Sequence, residues 1–306
     1  MGEIFYWLFN MSLVASISGL IVWGLRAIPR LPRRYACWLW LIPMIRMVIP
    51  VGLGSRWSLM TLLSKLTTRT VVVWERGDLS FAYTNAVMAA NSYFPVTYRI
   101  NLLEELFAIA AVIWLAVTAG IVITLSVLYI ATKRELREAV RWKENVYLSD
   151  RVTSPALYGI LRPRIILPIG WEGREDLPLI LAHERAHARH ADNLWRILAF
   201  LTVAVHWFNP LAWILLRVAL SDLELYCDER VVRDMGEGDK RAYASALIGS
   251  VERVREQAFF ASTFGGARIR VRIERIFNYR RLSRFSTVCA AMMILAIAWV
   301  LLTSAK

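Results

Sequence analysis

Two histidines four residues apart, His183 and His187, with Glu184 directly after the first, are the residues whose types and spacing can do chemistry in this chain. On a helix such a pair shares one face, so both imidazoles reach a single metal ion while Glu184 projects from the neighbouring face. From there its carboxylate can take a proton from a water beside the metal as that water attacks a carbonyl. It can then hand the proton to the departing amine. The pattern predicts metal-dependent hydrolysis of a peptide bond. The competing reading is a charged helix face carrying two exposed or capping histidines. Against it, the chain has only 4 histidines and three of them, His183, His187 and His190, lie close together. His190 is expected on the polar face rather than at the metal.

Catalytic zinc takes three protein ligands and leaves a fourth position for water, so a third donor is required. The apolar stretch 194–220 is broken at His206-Trp207-Phe208-Asn209-Pro210, where proline and the residue before it are poor helix-interior residues. It reads as a helical hairpin touching the membrane rather than a span. From the helix rise, its limbs return the chain near its starting level at Ser221 to Glu229. Glu224 is the favoured third ligand over its neighbours Asp222, Asp228 and Glu229. Asp228, one turn later on the same face, is expected to hydrogen-bond a ligand histidine or the helix that bears it. Cys227 is a further soft donor, but its side chain points about 60° away from that of Glu224 on a helix, which suits the core better. His206 falls too far from the histidine pair to be a ligand and reads as a polar group at the membrane interface. Two imidazoles and one carboxylate suit zinc.

The composition says what kind of scaffold positions these groups. Of 306 residues, 57% are hydrophobic, which is too apolar for a soluble globule. Residues 4–28, 35–53, 106–131 and 286–302 each read as a spanning helix, the second interrupted by Arg46. The first lacks a basic leader and carries Glu3, so it reads as a span rather than a cleaved signal. Arg26, Arg30, Arg33 and Arg34 form a short basic loop. A second basic cluster, Arg268, Arg270, Arg272, Arg275, Arg280, Arg281 and Arg284, precedes the last span. Short basic loops stay in the cytoplasm, so the N-terminus is expected outside, 54–103 as an external loop, and 135–285 as a cytoplasmic domain. The net charge of +13 is explained by that topology and by contact with membrane lipid, and direct nucleic-acid binding is not expected. Cys37, Cys227 and Cys289 are too scattered for a disulfide framework. Val146–Leu148 reads as a strand. Arg164, Ile165, Ile166 and Leu167, bounded by Pro163 and Pro168, read as an edge strand able to bind peptide by strand addition. The fold class expected is a mainly α membrane protein with an α+β, zincin-like cytoplasmic metallopeptidase domain.

These motifs resemble those of a known family, the membrane metallopeptidases of the β-lactam-responsive sensor-transducers and antirepressors, which have gluzincin-like ligands. The resemblance runs from Ser154-Pro155-Ala156-Leu157-Tyr158-Gly159 and Arg162-Pro163-Arg164-Ile165-Ile166-Leu167-Pro168, through His183-Glu184-x-x-His187 with Asp192. It continues to His206-Trp207-Phe208-Asn209-Pro210 and Glu224-x-x-Cys227-Asp228-Glu229. It implies zinc held by His183, His187 and Glu224, Glu184 as general base, and Asp192 and Asp228 as supporting residues. It also implies a bacterial membrane with the peptidase inside, and an external signal that triggers cleavage of a repressor, of the chain's own cytoplasmic loop, or of both. By that resemblance 257–284 is a candidate self-cleavage region. The sensors it resembles continue past the last span into an extracellular penicillin-binding domain, whereas here only Thr303–Lys306 follow, so antibiotic sensing is not carried over. The alternative is a non-catalytic membrane signalling or scaffold subunit with a structural metal. Oligomerisation is left open.

Overall fold

A computed structural model describes residues 2–28, 31–49, 55, 58, 101–160, 162–257, 264–279 and 283–303. The stretch expected as an external loop, 54–103, lies outside the described residues apart from Ser55, Ser58 and 101–103. In chain order the described elements are α1 (Gly2–Arg26), α2 (Arg33–Val48), α3 (Asn101–Glu135), β1 (Val140–Lys143), β2 (Val146–Ser149), β3 (Ala156–Tyr158) and β4 (Arg164–Pro168). There follow α4 (Leu177–Arg189), α5 (Asp192–Val205), α6 (Pro210–Val231), α7 (Glu237–Gln257), α8 (Phe264–Asn278) and α9 (Arg284–Leu302). The chain is mainly helical and divides into two compact units. The first comprises Met1–Ile123, Ala199–Ala219 and Ser283–Lys306, the second Thr124–Leu198 and Leu220–Leu282.

Among the described residues, three segments are helices long and apolar enough to cross a membrane: Ile4–Arg26 and Phe285–Leu302 of the first unit, and Leu106–Glu138, which continues past Ile123 into residues of the second. The helix expected over 35–53 is shorter. It ends at Val48 because Ile49 takes an extended backbone, φ −103° and ψ 112°, the conformation that a following proline, here Pro50, imposes on its predecessor. Val22 of α1 packs with Tyr35, Leu39, Trp40 and Ile42 of α2, with Leu215 of α6 and with Leu301 of α9. A Cβ placed on Gly19 would lie 2.3 Å from Leu215 Cδ1, so the missing side chain there is what lets α1 and α6 approach.

Buried polar groups in this unit are spent on helix ends, where carbonyls lack an intrahelical partner. Trp114 donates to Val205 O at 2.7 Å and Arg46 to Leu302 O at 3.4 Å. His206, read from sequence as an interface group, is instead 1% exposed and bonds Met47 O at 3.0 Å. It is enclosed because Met47 O sits in the last turn of α2 and needs a donor. Asn209 caps α6. Its Oδ1 accepts from Leu211 N at 3.0 Å with Pro210 in the first helical position, while Nδ2 donates to the hydroxyls of Ser12 and Ser16 at 2.7 Å.

The second unit is built on a four-stranded sheet of order β1-β2-β4-β3. β1 and β2 form a hairpin, β4 runs parallel to β2, and β3 is antiparallel to β4. Val146, Ile165 and Leu167 pack beneath Leu177 and Leu181 of α4. The expected edge position of Arg164–Leu167 is therefore corrected: this strand is paired on both sides, and the sheet edges are β1 and β3. Pro163 and Pro168 suggested an edge, but one precedes the strand and the other ends it, so neither removes a donor from the strand interior. Among these residues Ile165, Ile166 and Leu167 are at most 2% exposed, which belongs to a central strand. A second core joins Val232, Tyr243, Leu247 and Ile276, bringing α7 and α8 against the end of α6.

Candidate metal centre

Helix α4 starts with Pro178 in its first turn and buries one stripe: Leu177, Ile180, Leu181, His183, Ala186 and His187. Leu177 and Leu181 dock on the sheet, Ile180 packs with Trp171 and with Ala246 of α7, and the histidines of the same stripe are buried with them. The helix stops at His190. Ala191 then takes φ +52°, a left-handed conformation uncommon outside glycine that reverses the chain sharply. The reversal sets Asp192, the first residue of α5, against the helix just completed, with its Oδ2 2.6 Å from His187 Nδ1.

Each histidine is oriented by a bond at Nδ1. For His183 the chain of contacts is longer: Nδ1 lies 2.8 Å from the Tyr243 hydroxyl, and that hydroxyl donates to Asp228 Oδ1 at 2.8 Å. The Tyr243 proton is thus committed to Asp228, which makes its oxygen the acceptor and His183 Nδ1 the donor. Both rings accordingly carry hydrogen on Nδ1 and turn Nε2 inward, where the two Nε2 atoms are 3.2 Å apart. Glu224 of α6 completes the group. Its Oε2 is 3.7 Å from each Nε2, while Arg196 of α5 holds the other oxygen, Oε1. Arg272 of α8 grips Asp228 with two bonds, Nε to Oδ2 at 2.7 Å and Nη2 to Oδ1 at 2.8 Å.

The electrostatics favour positive charge between the imidazoles. Burial alone would lower the pKa of His183, but Asp228, Cys227 and Glu224 outweigh it and raise it well above the usual value. His187 shows the same balance, with Asp192 the strongest of its supporting groups. Burial would raise Glu224, yet the two histidines and Arg272 hold it well below the ordinary carboxylate range. The protonated imidazoles are thereby favoured, so a proton competes with any metal ion for the two Nε2 atoms.

The spacing fits such an ion. Ligand bonds of about 2.0–2.1 Å in a tetrahedral arrangement put donor atoms roughly 3.3 Å apart, against 3.2, 3.7 and 3.7 Å for Nε2, Nε2 and Oε2. Cys227, set aside as core by the sequence reading, is both fully buried and part of the cluster. Its sulfur joins donor atoms of His183 and His187 in a set lying within 4.8 Å. That sulfur is 3.6 Å from His183 Nδ1 and donates to His183 O at 3.4 Å. Glu224 Oε2, by comparison, is equidistant from both Nε2 atoms at 3.7 Å.

Of the residues singled out in the sequence, the structure thus brings together His183, His187, Glu224, Asp192 and Asp228. Glu184 stands half-buried on the same helix and makes no hydrogen bond or ion pair among the described residues. Arg164–Leu167 lie in the sheet interior. Sequence reasoning missed Arg196, Tyr243 and Arg272. Arg196, one turn after Asp192 on α5, could have been found from helix spacing, whereas Tyr243 and Arg272 come from α7 and α8 and leave no local signal.

Two imidazoles that face each other through Nε2 on one helix, a carboxylate on another and a half-buried glutamate beside the first histidine are thus gathered in one place. The comparison with known proteins gives the family. The BlaR1 peptidase M56 family model matches residues 6–276, and the chain belongs to that family, which implies a metal. It is 29% identical over 155 residues to the regulatory protein BlaR1 of Bacillus licheniformis, a stretch covering 48% of this chain and 26% of that protein. It is 25% identical over 119 residues to BlaR1 of Staphylococcus aureus, covering 37% of this chain and 20% of the relative. With the methicillin resistance mecR1 protein of Staphylococcus aureus it shares 22% over 103 residues, 33% of this chain and 18% of the relative. The matched stretch is therefore about a quarter or less of these regulatory proteins.

Proposed function

We propose that the chain is a membrane-embedded zinc endopeptidase of transmembrane signalling, with His183, His187 and Glu224 as ligands and Glu184 as general base. The observation that carries this is the Nε2, Nε2, Oε2 triangle in which every member is braced from behind, next to a glutamate that has no hydrogen bond or ion pair among the described residues. Bound zinc would acidify a water molecule and polarise the carbonyl to be attacked. The protein's own groups do the rest. Asp192 and the Tyr243–Asp228 pair keep hydrogen on both Nδ1 atoms, so that Nε2 is the nitrogen each ring gives up to a metal in exchange for its proton. Arg196 restrains Glu224 through Oε1, so that the carboxylate serves through Oε2. Glu184 takes a proton from the attacking water and returns it to the leaving nitrogen.

A substrate strand would add at β3, which packs against α4 and, among the described residues, is paired on one side only. Asn193 ties that strand down by donating to Leu157 O and Gly159 O at 2.9 and 3.1 Å. The apolar helices and basic loops support a bacterial membrane location with the N-terminus outside and the site in the cytoplasm. The regulatory names of the relatives support cleavage of a repressor-type protein, of the chain's own cytoplasmic loop, or of both. Within 257–284, Phe264–Asn278 is helical, so a self-cut there falls outside that helix or follows its unwinding. One observation favours the other reading, a non-catalytic subunit. Cys227 stands beside the histidines as a fourth donor, and a four-ligand site without water is structural.

The test is metal content and processing of the purified full chain, wild type against Glu184→Gln. One zinc per chain in both, with processing lost only in the variant, supports the endopeptidase. Processing that persists in Glu184→Gln, or is absent from a zinc-loaded wild type offered candidate repressors, supports the structural subunit.

A further inference from the structure

The guanidinium of Arg272 is only half committed. Nε and Nη2 are bonded to the two oxygens of Asp228, a planar two-bond grip that fixes the direction of the group. Nη2 is also 3.4 Å from His183 Nε2, and Nη1 is 3.8 Å from Glu224 Oε2. These are two of the three donor atoms that face one another. Nη1 itself makes no hydrogen bond among the described residues, and the side chain is 17% exposed. The other guanidinium at the site, Arg196, is spent on Glu224 Oε1, the oxygen held away from the histidines.

A fixed cation beside a cation site repels the very ion the ligands collect; gripping the buried Asp228 carboxylate accounts for Nε and Nη2 but leaves Nη1, 3.8 Å from Glu224 Oε2, without a hydrogen bond among the described residues. That nitrogen gains a partner when negative charge appears next to the metal. That happens when a peptide carbonyl becomes tetrahedral, and preorganised donors aimed at such an oxygen are among the largest contributors to acyl-transfer catalysis.

We propose that Arg272 is a catalytic residue of this site, with Nη1 directed at the carbonyl oxygen of the scissile peptide as it acquires charge, and with Asp228 and Tyr243 as the groups that aim it. The inference rests on the endopeptidase reading above. No proton leaves Arg272 in the reaction: water adds, the C–N bond breaks, and Glu184 carries the proton.

The experiment uses the full chain loaded with cobalt(II), whose visible absorption reports entry of a further ligand, titrated with azide as an anionic probe. It needs no substrate. Arg272→Gln is expected to retain cobalt and to bind azide at least tenfold more weakly, with Arg272→Lys recovering part of the loss. On a cleaved peptide or in self-processing, Arg272→Gln should lower kcat by about 100–1,000-fold with little change in KM. Azide affinity unchanged in Arg272→Gln overturns the proposal. Loss of cobalt from both variants also overturns it, since Arg272 would then serve the ligand scaffold. Wild-type protein that takes up no cobalt is a distinct result, which removes the endopeptidase reading and the role of Arg272 with it.

Discussion

Replacing Asp192 tests whether the residue behind His187 sets the metal affinity. Asp192 Oδ2 is 2.6 Å from His187 Nδ1, and the two residues are 2% and 3% exposed. A charge-assisted bond of that length, shielded from water, is about twice as strong as a neutral one. Partners of this kind typically contribute 10–100-fold to metal affinity, equivalent to about 1.4–2.7 kcal/mol. Asp192→Asn keeps an acceptor but loses the charge, and should weaken zinc binding by roughly tenfold. Asp192→Ala leaves a buried N–H without a partner, at a further cost of about 1–3 kcal/mol, and should approach the hundredfold limit. Asp192 also places its charge at the start of α5, where helix-end electrostatics contribute about 0.3–1 kcal/mol to folding irrespective of metal. The assay must therefore separate the two effects. Competition against a chromophoric chelator gives the zinc affinity, and melting of the chelator-stripped protein gives the fold. A lowered melting temperature with unchanged zinc affinity in Asp192→Asn would refute the argument and reduce Asp192 to a helix-end anion.

Glu224→Gln should release most of the zinc while Cys227→Ser retains it, as measured by elemental analysis after dialysis; the reverse pattern would make the thiol the third ligand. Melting of the stripped protein should fall as pH rises above about 6.5, the usual histidine value, because His183 and His187 are raised in the fold and their contribution is lost as pH climbs toward the folded values. The stabilisation added by zinc should grow over the same interval, since the metal needs unprotonated imidazoles, so the two curves must diverge. Asn209→Ala removes a helix cap and two bonds to Ser12 and Ser16, and should lower stability by about 2–3 kcal/mol in denaturation experiments.

How much of this was legible in the chain depended on how far apart the interacting residues lie. His183 and His187 share one helix face, so their spacing alone points to a common metal, with Glu184 beside it as the base. Glu224 was within reach of reasoning because helix rise and a proline-marked turn at Asn209-Pro210 are arithmetic. Arg164–Leu167 was misplaced because edge or centre is decided by which other strands pair with it, and β2 reaches β4 past β3 without leaving any mark inside β4 itself. Arg272 shows the limit most clearly. In the sequence it is one of seven arginines whose collective charge is explained by topology, and nothing distinguishes it from Arg270 two residues earlier. In the structure Arg270 faces solvent and pairs with Glu274 on its own helix, whereas Arg272 grips Asp228 beside the histidines.

That contrast also bears on why supporting residues escape a local reading. A ligand pair must sit at fixed spacing to share an ion, so its geometry is written into one segment. The groups that orient it need only a direction in space, and any helix packed nearby can supply them. Tyr243 does so from α7 and Arg272 from α8, joined to α6 by the core of Val232, Leu247 and Ile276. The core that packs α7 and α8 is therefore part of the metal centre. A cavity introduced there, such as Ile276→Ala, should loosen Arg272 and Tyr243 together and change anion binding at the metal without touching a ligand.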